Sequence, residues 1–131
     1  MKTLYVGCAL RGASPEFVAG VEVLKKDLEQ YFDVLHFVGL SPTATAQTIY
    51  ETDIECAARA DLMLALCDQP STGLGIEIGK RTELKKPTVM AYHKDVNVSG
   101  MVVGLAQAVP GFTVLPYESH VDVLSHLKTL A

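Results

Sequence analysis

The chain has little of what marks several large classes of protein. Its cysteines are few and odd in number, Cys8, Cys56 and Cys67 among 131 residues, and each lies in an apolar segment. That argues against a disulfide framework and reads as buried free thiols in a reducing, cytoplasmic compartment. No apolar run approaches the roughly 20 residues that span a bilayer, so no membrane association is expected. The opening MKTLYVGCALRG carries one lysine and a short apolar stretch, and reads as a buried strand rather than a cleaved leader. Positive charge is not in excess. With a formal net charge of −4 there is no basic field for a nucleic acid polymer, and any nucleotide bound is expected to be small. The histidines His36, His93, His120 and His126 show no metal-ligand spacing with one another or with the cysteines. Neither a metal nor a cofactor is therefore expected. What remains, 49% hydrophobic and 20% charged residues, is the balance of one soluble globular domain over residues 1–131.

Apolar runs and helical patterns alternate from end to end. Strands are expected at 3–9, 33–38, 61–67, 87–92 and 112–116, and helices at 15–31, 45–59, 74–85, 99–107 and 118–130. Ser14-Pro15-Glu16 has an N-cap, a first-turn proline and a first-turn acid in order. Phe17, Val21, Leu24, Leu28 and Tyr31 follow at helical spacing, and a loop is read at Gly39-Leu40-Ser41-Pro42. The run DLMLALC has no polar alternation, as in a strand covered on both faces. Five β-α repeats imply an α/β fold, a flavodoxin-like doubly wound five-stranded parallel sheet in a single domain. Ligands of such sheets bind beyond the carboxyl ends of the strands, which directs attention to residues 7–14, 36–45, 67–77 and 92–101.

Two of these loops carry chemistry. Gly7-Cys8-Ala9-Leu10-Arg11-Gly12 precedes a helix N-terminus, where backbone amides and Arg11 suit an anion. An ordinary tight turn explains two glycines equally well, and no Gly-Lys-Ser/Thr follows to make a P-loop. The segment Asp68-Gln69-Pro70-Ser71-Thr72-Gly73-Leu74-Gly75-Ile76-Glu77 sets small residues and hydroxyls beside an acid. Flanked by Ile76 and Ile78, Glu77 is expected to face a partly enclosed cleft; the bland alternative is a glutamate complementing the helix dipole. Asp53 lies between Glu51 and Glu55, where periodicity alone does not separate a site acid from a solvated acidic face. Two carboxyl groups flanking a glycosidic bond can act as nucleophile and general acid.

Together these segments resemble the nucleoside 2-deoxyribosyltransferase superfamily. The residues that carry the resemblance are Tyr5-Val6-Gly7-Cys8-Ala9-Leu10-Arg11-Gly12, Asp53 with Asp61 eight residues later, and Gln69 to Gly79. The branch of 2′-deoxynucleoside 5′-monophosphate N-glycosidases is the most similar. The resemblance implies that Glu77 attacks the anomeric carbon to form a covalent glycosyl-enzyme. It implies that Asp53 serves the departing base and that the Tyr5 hydroxyl orients the nucleophile. Such roles suit a leaving group that departs poorly unless protonated and a transition state of oxocarbenium character.

Ser71 separates the branches. The transferases typically hold an aspartate there, which would repel a 5′-phosphate, whereas a serine can donate to one. Ser99, within Asn97-Val98-Ser99-Gly100-Met101, matches a second phosphate-contacting serine that the branch supplies from the neighbouring subunit of a homodimer. The expected substrate-binding set is therefore Gly7 to Gly12, Ser71, Gly73, Gly75, Ser99 and Met101. The hydrolases usually carry a serine where this chain has Ala9, so one phosphate contact must come from elsewhere. A base-exchanging transferase is the alternative. A non-catalytic nucleotide sensor on this fold would be expected to lack at least one of Tyr5, Asp53 and Glu77.

Overall fold

The computed structural model describes residues 1–37 and 41–131. Strands β1 (Thr3–Cys8), β2 (Asp33–Leu35), β3 (Leu62–Leu66), β4 (Thr88–His93) and β5 (Phe112–Tyr117) alternate with five helices. These are α1 (Pro15–Leu28), α2 (Ala46–Arg59), α3 (Thr72–Leu84), α4 (Gly100–Ala108) and α5 (His120–Lys128). All strand pairs are parallel, in the order β2-β1-β3-β4-β5. That is the flavodoxin-like doubly wound order.

Strand periodicity sorts the core into two halves. Leu4, Val6, Leu62, Leu64, Leu66, Val89 and Ala91 face α1 and α5, packing on Val21, Leu24, Leu28, Val123 and Leu127. The intervening residues Tyr5, Met63, Ala65, Cys67 and Met90 face the other way, onto Cys56 and Ala57 of α2 and Leu74 of α3. Both faces are therefore covered, which is why the strands read as unbroken apolar runs. Each large aliphatic side chain so buried contributes on the order of 1.5–3 kcal/mol. The chain winds from β1 outward to β2, then crosses back over β1 to β3. A crevice opens where the winding reverses, between the carboxyl ends of β1 and β3.

Several boundaries depart from the sequence-based expectation. Helix α1 stops at Leu28, not at residue 31, because the Leu28 carbonyl accepts from Tyr31 at 2.9 Å and Phe32 at 3.0 Å and turns the chain toward β2. Strand β2 ends at Leu35 rather than 38; Val38 and the loop expected at Gly39-Leu40 lie outside the described residues. Helix α3 begins two residues early, at Thr72, since the Ser71 side chain caps it by accepting from the Leu74 amide at 3.2 Å. Cys8, expected among the buried thiols, is only half-buried, whereas Cys56 and Cys67 are buried. Among the described residues, no helix is long and apolar enough to cross a membrane.

Candidate active site

Above the crevice lies a cavity of about 650 Å³, within the size range of small-molecule sites. The end of β1 and the first loop enter it with Gly7, Cys8, Ala9, Leu10 and Arg11, the α3 N-terminus with Pro70 to Leu74, and α2 with Ile49, Tyr50, Asp53 and Ile54. Glycine is needed at position 7 for room. A Cβ there would sit 2.9 Å from Leu74 Cδ1 and Met63 Cε and 3.4 Å from Glu77 Oε1. Gly12 adopts φ +73°, a left-handed turn that releases the loop into α1. Ser14 then caps α1, accepting from the Phe17 amide at 3.1 Å.

Glu77 is the sixth residue of α3, past the first turn, and its half-buried carboxyl faces the cavity instead of complementing the helix terminus. The Tyr5 hydroxyl donates to Glu77 Oε2. Burial pushes the Glu77 carboxyl up to about 7; the Tyr5 bond works against that rise, and the charge of Asp53 adds to it. Burial and the neighbouring Glu77 charge also keep Tyr5 protonated, so it remains a donor. A carboxyl poised near neutrality in a cleft, with a fixed donor on one oxygen and a second acid nearby, is an arrangement that favours catalysis over stability. Asp53 is half-buried and lines the cavity, while Glu51 and Glu55 are exposed. Helix α2 thus turns one of its three acids inward and leaves two in solvent.

The ring of Phe37 closes the β2 side of the cavity, edge-on to Tyr5 with centroids 6.4 Å apart. The Lys25 ammonium lies 4.2 Å over that ring. Across the crevice, the loop before α3 is pinned by Asp68, whose Oδ2 accepts from the His93 amide at 2.8 Å and the Tyr117 hydroxyl at 2.6 Å. This holds Ser71 at the rim. Cys8 is a poor nucleophile here, its thiol pushed up to about 11 by burial with Lys25 opposing.

The structure therefore gathers Tyr5, Asp53, Glu77, Gly7 to Arg11, Ser71 and Gly73 around one space. Gly12, Gly75, Ser99 and Met101 do not line it. Ser99 is the N-cap of α4, accepting from the Met101 amide at 3.1 Å, and the Met101 side chain is 84% exposed. Asp61, part of the motif pattern, sits at the opposite edge of the sheet, where it accepts from the Thr3 amide at 2.8 Å. Sequence reasoning did not single out Phe37, Ile49, Tyr50 and Ile54. The α2 residues do carry a signal, since positions 49, 50, 53 and 54 recur on one helical face. Among the described residues no cluster of histidine, cysteine, aspartate and glutamate is arranged to hold a metal ion.

A doubly wound sheet with a carboxyl-bearing cleft at its switch point is the frame of a small-molecule enzyme. The chain belongs to the nucleoside 2-deoxyribosyltransferase family, whose model matches residues 15–111. That span contains Asp53, Ser71, Glu77 and Ser99 but not Tyr5. Two curated relatives carry the name putative 2′-deoxynucleoside 5′-phosphate N-hydrolase 1. The protein from Methanosarcina mazei is 38% identical over 60 residues, 46% of this chain and 37% of that protein. The one from Methanosarcina barkeri is 35% identical over 60 residues, 46% of this chain and 38% of that protein. The matched stretch thus spans little more than a third of these relatives. Among solved structures, the CMP N-glycosidase BcmB of Clostridium botulinum superposes with a TM-score of 0.78 at 20% identity, covering 99% of this chain and 100% of that one. A conserved protein from Enterococcus faecalis V583 does so at 0.65 and 19%, covering 100% and 99%. At these identities the two structures establish the shared fold.

Proposed function

We propose that the protein hydrolyses the N-glycosidic bond of (2′-deoxy)nucleoside 5′-monophosphates, releasing free base and (deoxy)ribose 5-phosphate. The observation that carries this reading is the Glu77 carboxyl in the cavity, bonded to Tyr5 and electrostatically coupled to Asp53. As the carboxylate, Glu77 attacks the anomeric carbon while Asp53 donates a proton to the departing base. Tyr5 holds Glu77 Oε2 and leaves Oε1 for the bond to the sugar. Water then enters where the base left, Asp53 takes its proton, and the glycosyl ester to Glu77 breaks. A sugar lacking its 2′-hydroxyl reaches the oxocarbenium-like state more readily.

The first loop and the α3 N-terminus converge on the cavity with backbone amides, Arg11 and the Ser71 hydroxyl, a set suited to a 5′-phosphate. Ser71 accepts from the Leu74 amide and keeps its own hydroxyl proton for donation. Arg11 and the loop amides take the place of the hydroxyl that Ala9 lacks. The apolar Phe37, Ile49 and Ile54 leave a slot for a planar base. The names of the Methanosarcina relatives and the Clostridium botulinum neighbour pair this family and fold with nucleotide cleavage, which supports the same assignment. In this reading Ser99 and Met101, at the exposed start of α4, complete the site of a second copy in a homodimer.

A chromatographic assay tests the proposal. A deoxynucleoside and its 5′-monophosphate are incubated in parallel, each with and without a second free base. Base released from the monophosphate regardless of acceptor is the expected result. A new nucleoside formed only with acceptor present would instead identify a deoxyribosyltransferase.

A further inference from the structure

Arg81 is fully buried, yet it lies at the edge of the sheet opposite the cavity. Its guanidinium binds mainly backbone carbonyls. Nη1 donates to the carbonyls of Ala57 at 3.1 Å and Ala60 at 2.5 Å, and Nη2 to Pro87 at 2.5 Å and Asp61 at 3.5 Å. Nε donates to Thr88 Oγ1 at 3.3 Å. The carbonyls of Ala57 and Ala60 belong to the end of α2, where a helix leaves acceptors without intrahelical donors. The Asp61 amide, which would continue that ladder, donates to Thr3 Oγ1 at 2.9 Å instead. One side chain of α3 therefore closes the end of α2 and ties it to the starts of β3 and β4.

The spacing relates this clamp to the chemistry. Arg81 follows Glu77 by four residues, and Ala57 follows Asp53 by four. The clamp thus lies about one helical turn, roughly 6 Å, below the two acids. We propose that Arg81 is a positioning residue that locks α2 against α3 and thereby sets Asp53 relative to Glu77. This rests on the roles assigned to those acids above. Lysine does not replace it in full, because a guanidinium offers several donors in a fixed plane and an ammonium offers a compact point charge. Tyr5 and Cys8 from β1 and Asp53 from α2 act on Glu77, with Arg11 from the first loop and Tyr50 from α2 lining the same cavity. Of these, Asp53 is the acid carried on the helix that Arg81 holds.

The test compares wild type, Arg81→Lys and Arg81→Met by three measurements. These are the titration of the Glu77 carboxyl by carbon-13 NMR (assigned with Glu77→Gln), kcat and KM per folded molecule, and the melting temperature. Loosening α2 moves Asp53 away and admits water, and both changes lower the Glu77 midpoint. Arg81→Lys, whose stem fills the same channel, is expected to titrate about half a pH unit lower. Its kcat is expected to fall about 10-fold with KM nearly unchanged, since misplacements near 1 Å cost up to about 100-fold. Arg81→Met should show larger changes in the same direction, and if it does not fold, Arg81→Lys carries the test. A lower melting temperature with an unchanged Glu77 titration and unchanged kcat would overturn the proposal and leave Arg81 a purely structural stitch. The NMR titration reads Arg81 even if wild type cleaves no nucleotide, in which case the function proposed above fails separately.

Discussion

Glu77→Gln should make the protein more stable, and by a pH-dependent amount. The folded state raises this carboxyl from 4.5 to about 7. At about 1.4 kcal/mol per pH unit, holding Glu77 ionised costs the fold on the order of 3 kcal/mol relative to the unfolded chain. The native state binds this proton more tightly than the unfolded chain does. Stability is therefore lost as pH climbs from about 4.5 to about 7, and the whole loss is present above that. Glutamine never ionises and can still accept from Tyr5. Urea unfolding at pH 4, 6 and 8 should give matching stabilities for the two proteins at pH 4. The glutamine variant should gain up to about 3 kcal/mol at pH 8. A constant difference across the series, or a glutamine variant less stable at pH 8, would refute the buried, proton-retaining Glu77 described above.

Three other perturbations follow from the geometry. Tyr5→Phe removes the bond that favours the ionised form of Glu77, so the rising limb of the kcat/KM profile should move up by about 1–2 pH units, the worth of one bond to a charged group. A limb that stayed put would show that Tyr5 does not tune the acid. Gly7→Ala presses a methyl on Leu74, Met63 and Glu77; flexible side-chain ends yield, so stability should fall by only about 1 kcal/mol while kcat falls well beyond what that loss explains. Ser71→Asp preserves an N-cap but faces the expected phosphate with a charge. Its melting temperature should match wild type, and KM should rise for a nucleoside monophosphate but not for the nucleoside.

The sheet was legible because a parallel sheet covered on both faces needs unbroken apolar strands, and DLMLALC is one. The start of α1 was legible from its cap, since Ser14 accepts from the Phe17 amide as its position implies; the start of α3 was not, because Ser71 caps it two residues ahead of the expected helix. The end of α1 was not, because Tyr31 keeps the helical spacing although the chain has already turned at Leu28. Within the site, periodicity could not choose Asp53 over Glu51 and Glu55, and only the resemblance pointed to it, since the docking of α2 on the sheet decides which acid turns inward. The burial of Arg81 was not legible for a related reason. A basic residue in a last helical turn ordinarily sits in solvent, and nothing local marks this one as buried.

The most direct test of the account is rapid-quench mass spectrometry of the enzyme mixed with excess deoxynucleoside 5′-monophosphate. The account predicts that the peptide containing Glu77 gains the mass of a deoxyribose 5-phosphate ester, in step with the first release of base. Release of base with the protein mass unchanged at every time point would contradict it.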